Sequence, residues 1–529
     1  MKSITSVVFL VLCIFAAVQQ LQSAKILAII PTPSYSHQIP YRQLWLELHK
    51  RGHEIVLVTA NPIPGMNATT FRQIDIGTSY GIIRQMDFVK FRFEGLDWLA
   101  FEENYLFDFS DLMANEVLNH TDMKRLYEPN SNEEFDVVMA EMLLVPSIYA
   151  FAHRFNAPMI GLSSLGLLAF NEHVLGGIVL PSHEYTWEME ANVGLQQPFW
   201  KRLWNYVSLW RSIYKVHHNL LPRQQRIVET YFGPSVPPML DILKNISVIF
   251  INQADPITPA KPKLANMITF TSFHVSDNLT PLPEDLKRFM DNAKEGFIYF
   301  SLGSNAMSSD LPKETLQVFK DVFSKLPYKI VWKFEKDMPG KPDNVFIGKW
   351  LPQQTILAHP NIKLFIYQGG VQSSEEAVHF TVPLLGFPVL ADQDYQVLRM
   401  EALGVAKRLE ITTVTRDELN SAIRELLSNK VYKERMIELK KKVNDNPYDM
   451  VSHLVWWTEY VIRYKGAPHL RSSLVDQPWY QRCDMDIVVF LTVLSVLIIS
   501  NVTGIIAKLV VRSYKQYQVL SGTQKQKIS

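Results

Sequence analysis

The chain has little cysteine and almost no net charge. Among its 529 residues only Cys13 and Cys483 are cysteines, and Cys13 lies in a segment that we expect to be removed, which excludes an internal disulfide. The 53 Lys and Arg residues balance 52 Asp and Glu residues, which disfavours a nucleic-acid-binding protein. With 47% hydrophobic residues the chain is not intrinsically disordered, and its length predicts two large domains or three smaller ones.

Several catalytic motifs are missing as well. The chain contains no Gly-x-Ser-x-Gly elbow, no His-Glu-x-x-His pair and no Cys-x-x-Cys. Nucleophilic-serine hydrolases, zinc hydrolases and thiol oxidoreductases therefore lack the residues they require. The sequence also has no tandem repeat and no low-complexity tract.

The N-terminus has the pattern of a secretory signal peptide. Lys2 is followed by an apolar stretch over residues 7–18 and then by polar and small residues up to Ala24. This apolar core is too short for a membrane helix. We expect residues 1–23 to be absent from the mature protein; the alternative is a buried first strand or helix.

A second apolar segment lies near the C-terminus, where residues 487–506 carry no charge. A helix of this length covers about 30 Å, the thickness of the hydrocarbon layer, so we predict a transmembrane helix over residues 487–507, with a core helix as the alternative. Asp486 precedes the segment and Lys508 follows it. The positive-inside tendency then puts the tail, residues 508–529, in the cytosol and the preceding residues in the lumen.

Further signals fit a single-pass type I protein of the endoplasmic reticulum. Lys525 and Lys527 are third and fifth from the C-terminus, a spacing that resembles the cytosolic dilysine signal bound by retrieval coat proteins. On the proposed lumenal side the chain has glycosylation sequons at Asn67, Asn119, Asn245 and Asn278. A further sequon at Asn501 lies within the predicted span, and we expect it to stay unmodified.

The fold class is predicted to be α/β. Apolar runs at residues 26–30 and 54–59 flank a helical pattern at residues 39–50, which indicates a βαβ unit with a parallel sheet. Another buried strand is predicted at residues 137–140. Residues 165–234 show no clean periodicity and are predicted to be mixed helices and loops.

A new alternation begins after the proline-containing linker at residues 279–283. Strands are predicted at residues 297–301, 329–334, 345–348, 363–367 and 382–387, with a helix at residues 313–326. We therefore predict two Rossmann-like domains that face each other across a cleft, residues 24–284 and 285–445, followed by C-terminal helices and a juxtamembrane segment over residues 446–486. Open α/β sheets bind ligands outside the carboxyl ends of their strands, so functional residues should follow strands.

Two titratable residues follow predicted strands in the first domain. His37 comes after the first strand at a helix start, where a histidine with a pKa near neutrality is suited to act as a general base; a helix-capping or loop histidine is the alternative. Glu141 follows the strand at residues 137–140 and would set the tautomer of a catalytic histidine. Its alternative is an exposed loop glutamate.

The second domain contains a Gly-Gly pair, Gly369 and Gly370, between a strand and a helix. Backbone amides at such a turn and the helix N-terminus favour a diphosphate. The pair follows Trp350, which could stack on a base, and flanking acids could bind ribose or sugar hydroxyls.

These residues belong to a longer pattern over residues 350–393 that resembles the UDP-glycosyltransferases of the inverting, two-Rossmann-domain type (glycosyltransferase family 1, GT-B fold). The resemblance extends from the signal peptide through Ser36-His37 to the anchor, and is closest to the membrane-anchored animal enzymes. The form Tyr-Gln-Gly-Gly-Val-Gln-Ser at residues 367–373 is similar to the insect branch.

The resemblance implies a role for each residue of the pattern. Trp350 would stack on uracil, and Gln353 and Glu376 would contact ribose. Asp392 and Gln393 would bind the donor sugar, and His37 would deprotonate the acceptor so that an inverted, β-linked glycoside forms. The nucleotide diphosphate would be held by Ser304, Gln368, Gly370, Gln372 and Ser373. No metal or other cofactor is implied, since the UDP-sugar is a co-substrate and amides and side chains stabilise the departing diphosphate.

The chain departs from the family pattern at two positions. Gln368 stands where the family commonly has histidine; glutamine can donate to phosphate but carries no charge, so nucleotide affinity should fall modestly. Glu141 stands where the family has aspartate, and reaches His37 only if its backbone sits slightly back.

The expected function is transfer of a sugar, most simply glucose, to hydroxyl groups of small lipophilic molecules, as in detoxification. The aromatic residues Trp187, Phe199, Trp200, Trp204 and Trp210 are candidates for the acceptor pocket. The alternative is a catalytically weak lumenal carrier of nucleotide-sugar or lipophile that kept the fold. A hydrolase of sugar conjugates lacks a pair of facing carboxylates. The sequence leaves open the acceptor, the donor sugar among relatives of glucose, and the oligomeric state.

Overall fold

The structure is a computed structural model that describes residues 23–66, 68–143, 145–179, 187–188, 198–276 and 278–526. The chain divides into two compact units, one ending at Ser472 and the other beginning at Ser473. The first unit contains two parallel sheets.

The first sheet has seven strands, all pairing in parallel. Their spatial order is Phe71–Asp75, Glu54–Thr59, Lys25–Ile30, Val137–Glu141, Met159–Ser163, Val248–Asn252 and Met267–Phe270. Successive side chains of a strand point to opposite faces. In the first strand Leu27 and Ile29 join the core on one face, while Ile26, Ala28 and Ile30 join the core on the other. Burial of both faces explains why the strand is a continuous apolar run.

The second sheet has six parallel strands. Their spatial order is Val345–Gly348, Lys329–Lys333, Phe297–Ser301, Ile362–Tyr367, Leu384–Gly386 and Ala406–Arg408. Here too both faces are buried, since Ile298 and Phe300 lie in one core and Phe297 and Tyr299 in the other.

Helices cover both faces of the two sheets. Those that precede the second sheet are Tyr35–Gln38, Arg42–Lys50, Tyr80–Ile83, Phe88–Phe93, Trp98–Phe101, Phe107–Asn119, Thr121–Tyr127, Ala150–Arg154, Ala169–Val174, Phe199–Lys215, Leu221–Phe232, Met239–Lys244 and Glu284–Asp291. Those that follow its first strand are Lys313–Phe323, Gln353–Leu357, Val371–His379, Gln393–Ala402, Arg416–Ser428, Val431–Asn444 and Met450–Tyr464. The last of these returns to the first sheet, where Leu454, Val455 and Val461 join its core.

The strand order of each sheet reverses at one point. In the first sheet this lies between Lys25–Ile30 and Val137–Glu141, and in the second between Phe297–Ser301 and Ile362–Tyr367. Loops diverge at such a point and leave a crevice at the carboxyl ends of the strands. Glu141 is the last residue of one of these four strands, and the segments after the other three carry His37, Ser304 and Gln368.

The second unit contains the helices Trp479–Arg482 and Met485–Gln526. Among the described residues one helix is long and apolar enough to cross a membrane, over Met485–Leu520. It includes the predicted span at residues 487–507. Cys483 is a free, exposed cysteine.

The predicted strands at residues 54–59, 297–301 and 345–348 have the expected bounds, whereas the helix predicted at residues 39–50 begins as the single 3-10 turn Ile39–Tyr41. The strand predicted at residues 382–387 is shorter, Leu384–Gly386. The two-domain α/β prediction is confirmed.

Candidate active site

A cavity lies where the carboxyl edges of the two sheets meet. The first domain contributes His37 to its wall, and the second contributes residues from three loops. Of the residues predicted from the sequence, the cavity wall includes His37, Ser304, Gln368, Gly370, Gln372, Asp392 and Gln393. Trp350 lines a neighbouring groove that shares Ser304 with the cavity.

The loop that carries His37 is fixed by the residue that follows it. The Gln38 side-chain amide donates to the carbonyl oxygens of Ile30 (3.1 Å) and Thr32 (2.9 Å). Its oxygen accepts a hydrogen bond from the Thr59 hydroxyl. Because Gln38 is buried, these bonds hold the one-turn helix Tyr35–Gln38 against the ends of two strands.

His37 is hydrogen-bonded at one ring nitrogen. Its Nδ1 lies 3.2 Å from Glu141 Oε1 and 2.8 Å from the Ser164 hydroxyl. The other carboxylate oxygen, Oε2, accepts the backbone N–H of Thr32 at 3.1 Å. A carboxylate accepts only, so Nδ1 carries the proton in this arrangement and Nε2 is the nitrogen available to a substrate hydroxyl.

Glu141 is the last residue of its strand and its side chain is 1% exposed. The alternative of an exposed loop glutamate is therefore wrong. Burial raises the pKa of the neighbouring Tyr149, and the Glu141 charge raises it further. Nothing in the sequence pattern singles out Ser164, which follows the strand Met159–Ser163.

The Gly-Gly turn has the conformation that only glycine adopts easily. Gly369 has φ of +100°, and a Cβ there would lie 2.7 Å from the backbone oxygen of Gln393. Gly370 is the N-cap of the nine-residue helix Val371–His379, whose first N–H groups have no partner within the helix. Such a terminus stabilises an anion.

The side chain of Gln368 lies against Gly303, in the loop after the strand Phe297–Ser301. Its side-chain nitrogen lies 2.2 Å from the position that a Cβ on Gly303 would occupy, so a glycine is needed there to leave room for it. Its buried Oε1 has no hydrogen-bond partner among the described residues.

The predicted ribose contacts are hydrogen-bonded to each other. Gln353 donates to Glu376 Oε2 at 2.7 Å and to the Ser373 hydroxyl at 2.9 Å. Gln354 donates to Glu376 Oε1 at 3.1 Å. The buried His274, which the sequence pattern does not single out, lies 3.5 Å from the same oxygen; burial lowers its pKa, but hydrogen bonding to Glu376 and the charges of Glu376 and Glu375 raise it overall.

The Trp350 side chain is available for stacking. It is 61% exposed, and its ring contacts Tyr35 edge-on, with centroids 5.4 Å apart and planes at 88°. Tyr35 belongs to the same short helix as His37.

The two predicted donor-sugar residues, Asp392 and Gln393, differ in their hydrogen bonding. Asp392 is buried, its Oδ2 has no hydrogen-bond partner in the described part of the chain, and burial raises its pKa to about 6. The Gln393 side-chain oxygen accepts the backbone N–H groups of Val389 (2.8 Å) and Leu390 (2.9 Å). These two bonds use the side-chain oxygen of Gln393, so its side-chain NH₂ group points away from Val389 and Leu390 and can donate to a ligand.

The first domain also provides an apolar and aromatic wall of the cavity. It is formed by Ile83, Met86, Phe88, Trp98, Phe101, Leu106, Phe109, Leu143, Leu165 and Trp187. The Trp187 indole donates to the carbonyl of Gly166 at 2.8 Å and contacts Trp98 edge-on, with centroids 5.1 Å apart.

Comparison with known proteins identifies the class of this site. The family model described as "UDP-glucoronosyl and UDP-glucosyl transferase" matches residues 24–519. The chain belongs to this family. It is similar to UDP-glycosyltransferase UGT5 of Dactylopius coccus (30% identity over 492 residues, 90% of each chain). It is also similar to UDP-glucosyltransferase 2 of the same insect (30% identity over 503 residues, 92% of this chain and 93% of the relative).

The fold is also found among solved glycosyltransferases. The crystal structure of glycosyltransferase VinC in complex with DTDP has a TM-score of 0.54 at 15% identity, covering 84% of this chain and all of VinC (100%). The resemblance to UDP-glycosyltransferases and the GT-B fold are confirmed, and the protein is an enzyme of this transferase family. The donor is a UDP-sugar, carrying glucose or glucuronic acid.

The prediction of an aromatic acceptor pocket is wrong for most of its residues. In the transferase Trp187 lines the cavity, but Phe199, Trp200 and Trp204 are 59%, 75% and 61% exposed on the helix Phe199–Lys215. Trp210 packs against the core beside His173. This helix buries a face containing Leu209 and Ile213, and its aromatic residues lie mainly on the other face.

Other predicted sites of the transferase lie on its surface or outside the described residues. Asn119, Asn245 and Asn278 are exposed. Asn67, Lys527 and residues 1–22 lie outside the described residues, and Lys525 lies in the helix Met485–Gln526. The individual binding roles stay predictions.

Proposed function

We propose that this transferase moves glucose from UDP-glucose to the hydroxyl group of a small lipophilic acceptor, with His37 as general base. The observation that carries the proposal is the position of His37. Its Nδ1 is held by the buried Glu141 at 3.2 Å, while its ring lines a cavity that is also lined by Gly370 of the Gly-Gly turn and by the apolar wall.

The composition of the apolar wall supports a lipophilic acceptor. Its aromatic side chains provide a large contact area for an apolar ring or chain. Among the described residues of the cavity wall none is Lys or Arg, so an acceptor carboxylate would lose its hydration without gaining an ion pair.

The predicted sugar site favours glucose over glucuronic acid. The carboxylate of Asp392 lies in the predicted sugar site, and its Oδ2 has no hydrogen-bond partner among the residues that the structure describes. Hydroxyl groups donate to such an oxygen, whereas a glucuronate carboxylate would be repelled by it. The name of one relative, UDP-glucosyltransferase 2, agrees with this choice.

The proposed step is a single displacement. The acceptor oxygen attacks the anomeric carbon while His37 Nε2 takes its proton, the bond from that carbon to the diphosphate breaks, and UDP leaves with the electron pair. The new glucoside is β-linked. Glu141 stabilises the imidazolium that forms, and we assign stabilisation of the departing diphosphate to the Gly370 helix terminus, Ser304 and Gln368. We expect no metal ion to be needed, so EDTA should leave the rate unchanged.

We further propose that the catalytic unit is lumenal and that the protein is a type I membrane protein of the endoplasmic reticulum. The exposed sequons at Asn119, Asn245 and Asn278 and the candidate membrane helix support this topology. Removal of N-linked glycans should increase the mobility of the wild type in an electrophoretic gel. The triple Asn→Gln variant should migrate faster before the treatment and show a reduced shift after it.

The decisive experiment measures UDP release from UDP-glucose by membranes containing the full chain, with a panel of phenols and aliphatic alcohols. UDP-glucuronic acid is tested in parallel. We expect acceptor-dependent release that is lost in His37→Ala. His153→Ala is the matched control because His153 is exposed and does not line the cavity.

Each other outcome corrects a defined part of the proposal. Release only from UDP-glucuronic acid would overturn the donor. Release that persists in His37→Ala would overturn the base. UDP binding without release for any acceptor or donor would favour the carrier alternative.

A further inference from the structure

The short helix Phe88–Phe93 lies beside the cavity and packs against both α/β domains. Phe91 is buried in the core of the first domain, whereas Val89 is 3% exposed in the core of the second. Phe88 lines the cavity. This segment of the first domain is therefore anchored in both domains at once.

Arg92 of this helix binds two carboxylates of the second domain. Its Nη1 and Nη2 donate to the two oxygens of Asp394 at 2.7 and 3.1 Å. Its Nε and Nη2 donate to the two oxygens of Glu410 at 3.1 and 2.5 Å. The planar guanidinium matches this double fork, which a lysine cannot reproduce.

A second arginine completes the network. Arg408 Nη2 donates to Asp394 at 2.7 Å and to Glu410 at 3.3 Å, so two guanidinium groups balance two carboxylates. The four side chains are between 21% and 28% exposed, and partial burial reduces screening by salt.

Asp394 is rigidly connected to the predicted sugar site. It is the second residue of the helix Gln393–Ala402, and Asp392 is the N-cap of that helix. Oδ2 of Asp392, for which the described part of the chain provides no hydrogen-bond partner, therefore lies in the same helical turn as Asp394, which Arg92 binds.

We propose that Arg92 is a positioning residue for the donor sugar. By holding Asp394, the acceptor-binding domain orients Asp392 and Gln393 toward the sugar hydroxyls. The inference rests on the proposed donor-sugar role of those two residues. The proposal predicts that loss of Arg92 weakens binding of UDP-glucose more than binding of UDP, because uracil, ribose and diphosphate are assigned to other loops.

The experiment measures calorimetric Kd values of UDP and UDP-glucose for the full chain in detergent micelles. In Arg92→Gln we expect the Kd of UDP-glucose to rise about tenfold, while the Kd of UDP changes by less than about twofold. Arg92→Lys and Asp394→Asn should show the same selectivity with a smaller rise. The double variant Arg92→Gln/Asp394→Asn should weaken UDP-glucose binding less than the product of the two single effects, because both changes remove the Arg92–Asp394 interaction.

Arg125→Gln is the matched control, since Arg125 forms an exposed ion pair with Asp122 within one helix. It should leave both Kd values unchanged. Equal weakening of UDP binding and UDP-glucose binding in the Arg92 variants would overturn the proposal. It would show that Arg92 holds the two domains together without a specific effect on the sugar. Unchanged binding of UDP-glucose would also overturn the proposal. If Arg92→Gln does not fold, as judged by its Tm, Arg92→Lys and Asp394→Asn decide by the same ratio.

This test does not depend on turnover. A wild-type protein that binds UDP-glucose but transfers nothing would contradict the proposed function and still report the ratio of the two Kd values. If the wild type binds UDP-glucuronic acid instead, the donor assignment fails and the same ratio is measured with that nucleotide.

Discussion

The hydroxyl of Ser164 lies 2.8 Å from Nδ1 of His37, closer than the nearest oxygen of Glu141 at 3.2 Å. The ring is thus held by two groups from neighbouring strands of the first sheet. Glu141 is fixed in turn by the Thr32 backbone N–H. Its carboxylate uses one oxygen for the loop and the other for the base, so the longer side chain fits this site.

Shortening this side chain should impair the base. In Glu141→Asp the carboxylate retreats by about 1.5 Å, one C–C bond, and loses contact with His37 or with Thr32. We expect kcat to fall by about tenfold or more, as general-base catalysis depends on tautomer and orientation. The measurement is kcat at saturating UDP-glucose, with UDP affinity as the control; a gain in kcat would mean that glutamate is a poor partner.

Donor binding should depend on the ionisation of Asp392. Burial raises its pKa to about 6, above the usual value for aspartate, so the carboxylate takes up a proton as the pH falls through 6. The protonated group accepts fewer hydrogen bonds from sugar hydroxyls. We expect the Kd of UDP-glucose to increase between pH 7 and pH 5 more than the Kd of UDP does. Asp392→Asn should remove this difference, and a difference that persists in the variant would assign the titration to another group.

Removal of one aromatic side chain should affect the acceptor and spare the donor. Trp98 lines the cavity and contacts Trp187. We expect Trp98→Ala to raise the acceptor KM about tenfold, since removing a large aromatic side chain that contacts a ligand costs about 1 kcal/mol or more. The KM for UDP-glucose should stay within about twofold. Trp200→Ala is the control, because Trp200 is 75% exposed; equal effects in both variants would contradict the assignment of the apolar wall.

A buried carboxyl group should make stability fall with rising pH. Glu102 is 4% exposed and burial raises its pKa to about 7, while the nearby Glu103 raises it and Ser212 and Arg211 lower it. The folded protein therefore holds a proton that the unfolded chain releases above pH 4.5. This term lowers the free energy of unfolding by about 2 kcal/mol between pH 5 and pH 8.

Glu102→Gln should remove this loss of stability at high pH, because the glutamine side chain does not ionise. We expect its Tm to exceed that of the wild type at pH 8 and to match it at pH 5. Glu438→Gln removes the same charge from an exposed position and should show neither effect. A gain in Tm of equal size at both pH values would show that packing, and not ionisation, accounts for the change.

The strands Lys25–Ile30, Glu54–Thr59 and Phe297–Ser301 could be predicted from the sequence because burial on two faces leaves an apolar run. The edge strands Phe71–Asp75 and Ala406–Arg408 could not, since exposed and charged residues interrupt them. Val248–Asn252 is fully buried and its apolar run is visible in the sequence, but neither this strand nor Met159–Ser163 was among the predicted strands.

The site was predictable where residues follow strands, as for His37 and Glu141. Arg92 and Asp394 lie 302 positions apart in the chain, so only the packing of the two domains brings them together. Phe199, Trp200 and Trp204 are close in sequence to one another, but their helix buries its small and aliphatic residues instead.

The helix Phe88–Phe93 has a consequence for the diversification of this enzyme. Phe88 lines the cavity while Arg92 binds the turn that carries the predicted sugar residues, so remodelling this helix to admit a new acceptor would also disturb use of the nucleotide sugar. Trp98, Phe101 and Phe109 line the cavity from other helices. We expect evolutionary drift and laboratory selection for new acceptors to change those positions first, and to leave Arg92 in place.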